Sequence, residues 1–303
     1  MIRFVKHSLL LAAMSITCWA QTAVTITDFE KVAVGVPLKN QPPAAASTTA
    51  PNGIQYYGGP VMNAGGGTNV YTIWYGDWSN NTEPAIVTNF INHIGGTAYF
   101  NMNTSYYDYN PGGQKDPVVN RVNNAGSVTD NYSLGTDLSN NNVAAVVGEA
   151  LSSGTLPVDP NGVYFVLTSK DVLQQQFCVN ACAWHGYGLA GDIPIKVAFV
   201  GNSNQCPFHC QWQNPSPNNN PAADDATNMI AHELSETVTD PLLNAWVNPD
   251  GTENGDLCQW TFGKTMLLPN GSSYNVIFGQ HPYLIQRIWV NARGGYCALA
   301  LDQ

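Results

Sequence analysis

"AHELSETVTD", residues Ala231–Asp240, is the stretch on which the reading of this chain turns. It continues a helical pattern that opens in the loop "QNPSPNNNPAADDATN" (213–228), with Asp224 or Asp225 as the expected N-cap and Pro241 as the stop. In a helix, positions i and i+4 share a face. His232 and Glu236 therefore project side by side, Asp240 follows one turn on, and Glu233 adjoins His232. Ile230, Leu234 and Val238 make a separate apolar stripe that can face the core. The helix is expected to carry an imidazole and several carboxylates along one edge, either as metal ligands or as a solvated polar face.

A catalytic metal usually takes three protein ligands. The run "NPDGTENGDLC" (248–258) supplies acidic candidates for the third: Asp256, twenty residues past Glu236, or Glu253. His232 and Glu236 would then be ligands together with one of these acids, and Glu233 holds the position that in zinc hydrolases carries the general base for a metal-bound water. Zinc is the expected ion. A carboxylate in place of an imidazole makes such a site harder and more anionic, which brings manganese or calcium into competition. Asp250, Glu253 and Asp256 offer a structural calcium loop instead, although their spacing is not that of an EF-hand.

The other histidines are read more plainly. His281, with Tyr283 close by, follows the metal segment, where a transition-state hydrogen-bond donor would be useful. His185, in "FCVNACAWHGYG" (177–188), is read mainly as a structural histidine, with a ligand or cleft role as the alternative. His209 is expected in a loop, and His93 at the polar edge of its helix. Trp74, Tyr75, Trp78, Trp184 and Trp246 are expected to pack rather than to line a sugar groove.

The chain has 303 residues, and its first twenty read as a secretory signal. Arg3, Lys6 and His7 precede the apolar run "SLLLAAMSI", and cleavage is expected near Ala20. A lipoprotein signal with Cys18 as the lipidated residue is the rival. The run is too short to span a membrane, and no other candidate span follows. Cleavage removes two basic residues and no acidic one, which moves the formal charge from -10 to -12. So acidic a chain has no basic face for phosphates, which excludes nucleic acid as an expected partner. Only 11% of residues are charged, so the polar surface must come from amides and hydroxyls, as is common in exported proteins. An extracellular or periplasmic location follows.

Seven cysteines become six once Cys18 leaves with the signal, and an even number in an exported chain argues for disulfides. Two local closures, Cys178–Cys182 and Cys206–Cys210, plus Cys258–Cys297, are the expected pairing. A four-cysteine zinc site is the less favoured alternative.

Residues 21–68 read as a leader, with "NQPPAAASTTAPNG" (40–53) as linker and "GGPVMNAGGGTN" (58–69) as a glycine-rich loop. From 69 to 303 a single unit is expected. "NVYTIWYGDW" (69–78) is a strand, "TEPAIVTNFINHIGG" (82–96) and "NNNVAAVVGEALSSG" (140–154) are helices, and "VYFVLTS" (163–169) and "IKVAFVG" (195–201) are buried strands. After the motif helix, "SSYNVIFG", "YLIQRIWVN" and "GYCALA" read as short strands. The fold class is mixed α+β.

Two resemblances add to this. "HELSETVTD" (232–240) resembles the metal helix of thermolysin-like metallopeptidases, the gluzincins, which reads HELTHAVTD or similar with an acidic third ligand about twenty positions on. That implies His232, Glu236 and Asp256 as ligands, Glu233 as base, and a peptide or amide bond as substrate. It also implies a zincin-like twisted sheet with backing helices. Separately, "GGPVM", "YTIWYGDW", "YFVLTSKDV", "FCVNACAWHGY" and "VAFVGNSNQCPFHCQW" are similar to the EXORDIUM, or phosphate-induced protein 1, family. These are secreted proteins, best known as cell-wall or apoplast proteins. The likeness implies an exported protein and a helix of His-Glu-Leu-x-Glu type in which Glu236 belongs to the pattern; it does not decide the activity, and a non-catalytic wall-glycan or matrix binder is the alternative to a peptidase acting on an extracellular peptide or protein.

Overall fold

A computed structural model describes residues 23–29, 32–33, 35–40 and 54–301. The expected signal segment and most of the expected linker lie outside the described residues.

Alternation and apolar runs produce the sheet. Its strands are β1 (Ile26–Thr27), β2 (Thr68–Tyr75), β3 (Val122–Asp130), β4 (Gly162–Thr168), β5 (Ala183–Ala190) and β6 (Ile193–Val200). They lie in the order β1-β5-β6-β4-β2-β3. The pairs β6/β4, β4/β2 and β2/β3 are parallel, while β5 runs antiparallel to both β6 and β1. Strand β4, "GVYFVLT", is buried at every position, as a strand covered on both faces must be.

Three helices follow from the 3.6-residue pattern. Helix α1 (Glu83–Ile94) starts with a proline in its first turn and buries Ile86, Val87, Phe90, Ile91 and Ile94. Helix α2 (Asn140–Ser152) opens on a reciprocal cap between Ser139 and Asn142 and packs over β4, β6 and β1. Helix α3 (Pro221–Thr239) carries the motif and packs against α1, β5 and β6. Its N-cap is Asn220, which accepts from the Ala223 N–H, and Pro221 stands in the first turn. This corrects the expectation of an Asp224 or Asp225 cap. Those two carboxylates sit inside the helix and tie down the incoming loops, Asp224 through Asn218 and Asp225 through Ser203 and the Trp212 N–H.

Two strands escape the sequence pattern. The edge strand β3 alternates polar and small residues, and β5 contains two glycines. β5 and β6 form a hairpin joined by Gly191-Asp192, with Gly191 at φ 62°, a conformation that favours glycine. The hairpin decides the disulfides. Cys178 pairs with Cys206 and Cys182 with Cys210, not within each Cys-x-x-x-Cys run. The chain entering β5 and the chain leaving β6 lie side by side, so their cysteines meet across the hairpin. Cys258–Cys297 forms as expected.

Part of the expected leader is built into the sheet. Beyond β1, Val32 bridges to Gly186 and Pro37 to Ala181, along the outer edge of β5. Backbone hydrogen bonds from Ala33 N–H to His185 O and from Cys182 N–H to Val36 O hold this strap. Gly35 lies so close to β5 that an added Cβ would sit 1.9 Å from Ala183 O. Trp74, Tyr75, Trp184 and Trp246 are all buried, in line with packing roles.

Candidate metal centre

Helix α3 is buried from Ala222 to Thr239 and is a core element, not a surface helix. Its hydroxyls make this tolerable by bonding to the helix's own carbonyls: Ser235 to Ala231 O, Thr237 to Glu233 O, Thr239 to Ser235 O. The carboxylates have no such recourse, so they must find partners within the protein.

They find them in a cluster drawn from three elements. α3 supplies His232, Glu233 and Glu236; β5 supplies His185; the loop around a short 3-10 turn (Asp256–Cys258) supplies Glu253 and Asp256. None of the six is more than 2% exposed. His232 Nε2 lies 2.8 Å from Glu236 Oε1 and 3.6 Å from Asp256 Oδ1. His185 Nδ1 lies 3.0 Å from Glu233 Oε2 and 3.5 Å from Glu236 Oε2, and its Nε2 is 3.5 Å from Glu253 Oε2.

The loop is held tightly over the helix. The Asp256 N–H donates to Glu236 Oε1 at 3.1 Å and the Glu253 N–H to Asp256 Oδ2 at 3.0 Å. Asn254 donates to Ser235 O and Thr239 Oγ1. At Gly255 a Cβ would stand 2.7 Å from His232 Nδ1 and 2.8 Å from Glu236 Oε1, so only glycine fits there without displacement. Cys258, two residues past Asp256, is pinned to Cys297.

Charge dominates the energetics. Burial alone would lower both imidazole pKa values, but the facing carboxylates outweigh it: Glu253, Glu233 and Glu236 raise His185, and Glu236, Asp256 and Glu233 raise His232, both well above the ordinary value. Burial raises Glu236, yet His232 and His185 overcome it and hold the group at about 2. Burial and the Glu236 charge push Asp256 up to about 7, and burial pushes Glu253 well above the usual range. Among the described residues no Lys or Arg pairs with these carboxylates; every ion pair there is with histidine.

The donor set fits a divalent cation. His185 Nε2, His232 Nε2, Glu236 Oε2, Glu253 Oε1 and Asp256 Oδ1 are buried without a hydrogen-bond partner. His232 Nε2 is thus within 2.8 Å of a carboxylate oxygen but makes no well-formed hydrogen bond to it. A lone pair facing an anion at that range needs a proton or a cation between them. Gln286 bears on the choice. Its amide nitrogen contacts His232 Nδ1 while its Oε1 accepts from the Trp260 N–H. A donor at Nδ1 leaves the proton on Nε2, so an ion on Nε2 requires the Gln286 amide to turn over and present oxygen.

The structure brings His232, Glu233, Glu236 and Asp256 together, and the alternative acid Glu253 lies beside Asp256 in the same cluster. His281 is elsewhere: it is exposed and contacts Asn218, while Tyr283 bonds to Ile86 O and Asn89. That corrects its expected place beside the motif, because the chain from 281 to 283 packs near the start of α3 rather than its middle. His185, read from sequence mainly as structural, is carried into the cluster by β5. The strap was missed altogether: the Val36 N–H donates to Glu233 Oε1 at 3.1 Å, so both oxygens of that carboxylate are engaged.

Comparison with known proteins identifies the family. The family model described as "Phosphate-induced protein 1 conserved region" matches residues 54–299, which include His185, α3, Glu253 and Asp256. Protein EXORDIUM-like 5 of Arabidopsis thaliana is 30% identical over 273 residues, covering 78% of this chain and 75% of the relative. Protein EXORDIUM-like 3 of the same plant is 29% identical over 272 residues, covering 78% and 80%. Protein PHOSPHATE-INDUCED 1 of Nicotiana tabacum is 26% identical over 220 residues, covering 64% and 66%. No solved structure gives a significant match. The match over most of the chain, through the hairpin cysteines and the motif helix alike, places this protein in the EXORDIUM-like, phosphate-induced protein 1 family.

Proposed function

We propose that this is an exported, non-catalytic wall- or matrix-binding protein whose motif helix holds a structural divalent cation. One observation carries the reading: His232, Glu233, Glu236 and Asp256 are all buried, and Glu233, the would-be base, is occupied by the Val36 N–H and His185. A general base must be within reach of substrate or of an accessible water. Here it is covered by the protein's own backbone. Helix α3 packs against β5 and β6, at the antiparallel end of the sheet, and on this reading the site there serves cohesion rather than reaction.

His232, Glu236 and Asp256 would hold the ion, with His185 and Glu233 beside them. When bound, the ion would neutralise the carboxylates and cross-link α3 to the 248–258 loop. The mostly oxygen donor set suits zinc, manganese or calcium rather than a thiolate-preferring metal. Three disulfides support an oxidising compartment, and no helix among the described residues is long and apolar enough to cross a membrane.

Binding would use the surface. Tyr57 and Tyr109 are 53% and 51% exposed, and Tyr109 packs with Tyr56 and Tyr107 over the buried Trp246. Rigid aromatic rings of this kind accept the apolar faces of sugars. The test compares wild type, Glu233→Gln and Tyr57→Ala/Tyr109→Ala in a wall-polysaccharide pull-down and a peptide-library digest. The reading expects no cleavage by any of them and loss of retention only in the tyrosine variant. Cleavage by wild type that Glu233→Gln abolishes would overturn it.

A further inference from the structure

Glu236 faces two imidazoles with two different oxygens. Its Oε1 lies 2.8 Å from His232 Nε2, and its Oε2 lies 3.5 Å from His185 Nδ1. Donor atoms of His232, Glu236 and Asp256 lie within 4.8 Å of one another, and so do those of His185, Glu233 and Glu236. A single ion on the first set leaves the second, which adds His185 and Glu233, without one, and His185 Nε2, Glu236 Oε2 and the neighbouring Glu253 Oε1 lack hydrogen-bond partners.

We propose that the centre holds two divalent cations bridged by the Glu236 carboxylate. His232 and Asp256 complete one half; His185 and Glu233 complete the other, where an ion would replace the present contact between His185 Nδ1 and Glu233 Oε2 while the Val36 N–H keeps Glu233 Oε1. Charge is consistent with this count: among the described residues Glu233, Glu236, Glu253 and Asp256 form ion pairs with histidine alone, and two divalent cations would take over that role from the ring protons. Asp240, the next acid along the helix, is committed through Oδ1 to the N–H groups of Asn244 and Ala245.

The surrounding contacts are of the kind that orient ligands. His185 presents Nδ1 to Glu233 and Glu236 and turns Nε2 toward Glu253 Oε2 at 3.5 Å, so an ion on Nδ1 would set the ring N–H opposite that carboxylate. The bridge also gives a reason for glutamate at position 236. An imidazole there would offer one donor to one ion, whereas a carboxylate offers one oxygen to each. Both halves combine imidazole with carboxylates, which suits manganese or zinc.

The inference rests on the ion-holding reading above and is tested by titrating Mn2+ into chelator-treated mature protein, with the ion count by elemental mass spectrometry and the coupling by electron paramagnetic resonance. Two ions per chain with an exchange-coupled spectrum are expected, and His185→Asn should lower the count to one with the signal of isolated Mn2+. Because a substitution in a buried centre can disturb folding, the wild-type count and coupling decide by themselves. One ion, or two uncoupled ions, overturns the bridged pair and leaves the structural-ion reading standing. No ion overturns both.

Discussion

The Val36 backbone N–H donates to the Glu233 carboxylate at 3.1 Å, joining residues 197 positions apart at the centre of the molecule. It places a segment that reads as leader directly over the acid that reads as a catalytic base. The contact depends on Gly35, because no side chain fits between the strap and β5.

Gly35→Val should therefore undock the strap. The added atoms would meet Ala183 O and Trp184 Cα, so the strap or β5 must move. A loss of about 1–3 kcal/mol is expected, read as a lower Tm together with new proteolytic cuts before residue 40. Wild-type resistance at both readouts would contradict the packing described here.

The hairpin staples predict a specific peptide map. Non-reducing digestion should yield Cys178 linked to Cys206 and Cys182 linked to Cys210, with no closure inside either run. Replacing Cys182 and Cys210 together by serine should cost about 3–4 kcal/mol, from the loop-closure entropy of the denatured chain. A map showing Cys178–Cys182 would sink the hairpin assignment.

Restoring the second histidine should not restore an enzyme. Glu236→His recreates the His-Glu-x-x-His pattern, but it deletes one carboxylate from a buried centre and leaves Glu233 covered. The expected result is a lower Tm and no peptide cleavage. Turnover by this variant would mean that substrate reaches the site.

Stability should fall as pH rises through a second buried acid pair. Burial pushes Glu83 up to about 8, with the Asp225 charge adding to it, and burial pushes Asp225 up to about 8. Both groups keep a proton in the folded state that the unfolded chain, at the ordinary carboxylate pKa of about 4, releases. The folded state thus binds more protons, and stability drops between about pH 4 and pH 8, by up to ~1.4 kcal/mol per pH unit for each group. Asp225→Asn should flatten its share of that slope in urea titrations at pH 5 and pH 7.5. An unchanged slope would show that Asp225 is ionised in the native protein.

Sequence periodicity made α1, α2, β2, β4, β6 and the motif helix legible, because their apolar spacing is strong. β5 was not legible: "AWHGYGLA" weakens strand propensity with two glycines, and at Gly188 a Cβ would collide with Ile26 of β1. Missing β5 hid both the disulfide pairing and the place of His185. The burial of α3 did leave a trace. Its nineteen residues contain four acids and no Lys or Arg, whereas a solvated helix of that length usually mixes charges. The strap left none, since its docking depends on long-range backbone bonds.

On the proposed function, this buried cluster is a core stabilised by a bound ion. The most direct measurement follows the metal content and Tm of the mature protein before and after exhaustive removal of divalent ions by chelator, with His232→Ala alongside. The account predicts bound zinc, manganese or calcium in wild type, lost together with a marked fall in Tm, and little of either in the variant. Metal-free wild-type protein whose Tm neither responds to chelator nor rises on adding any of these ions would contradict it.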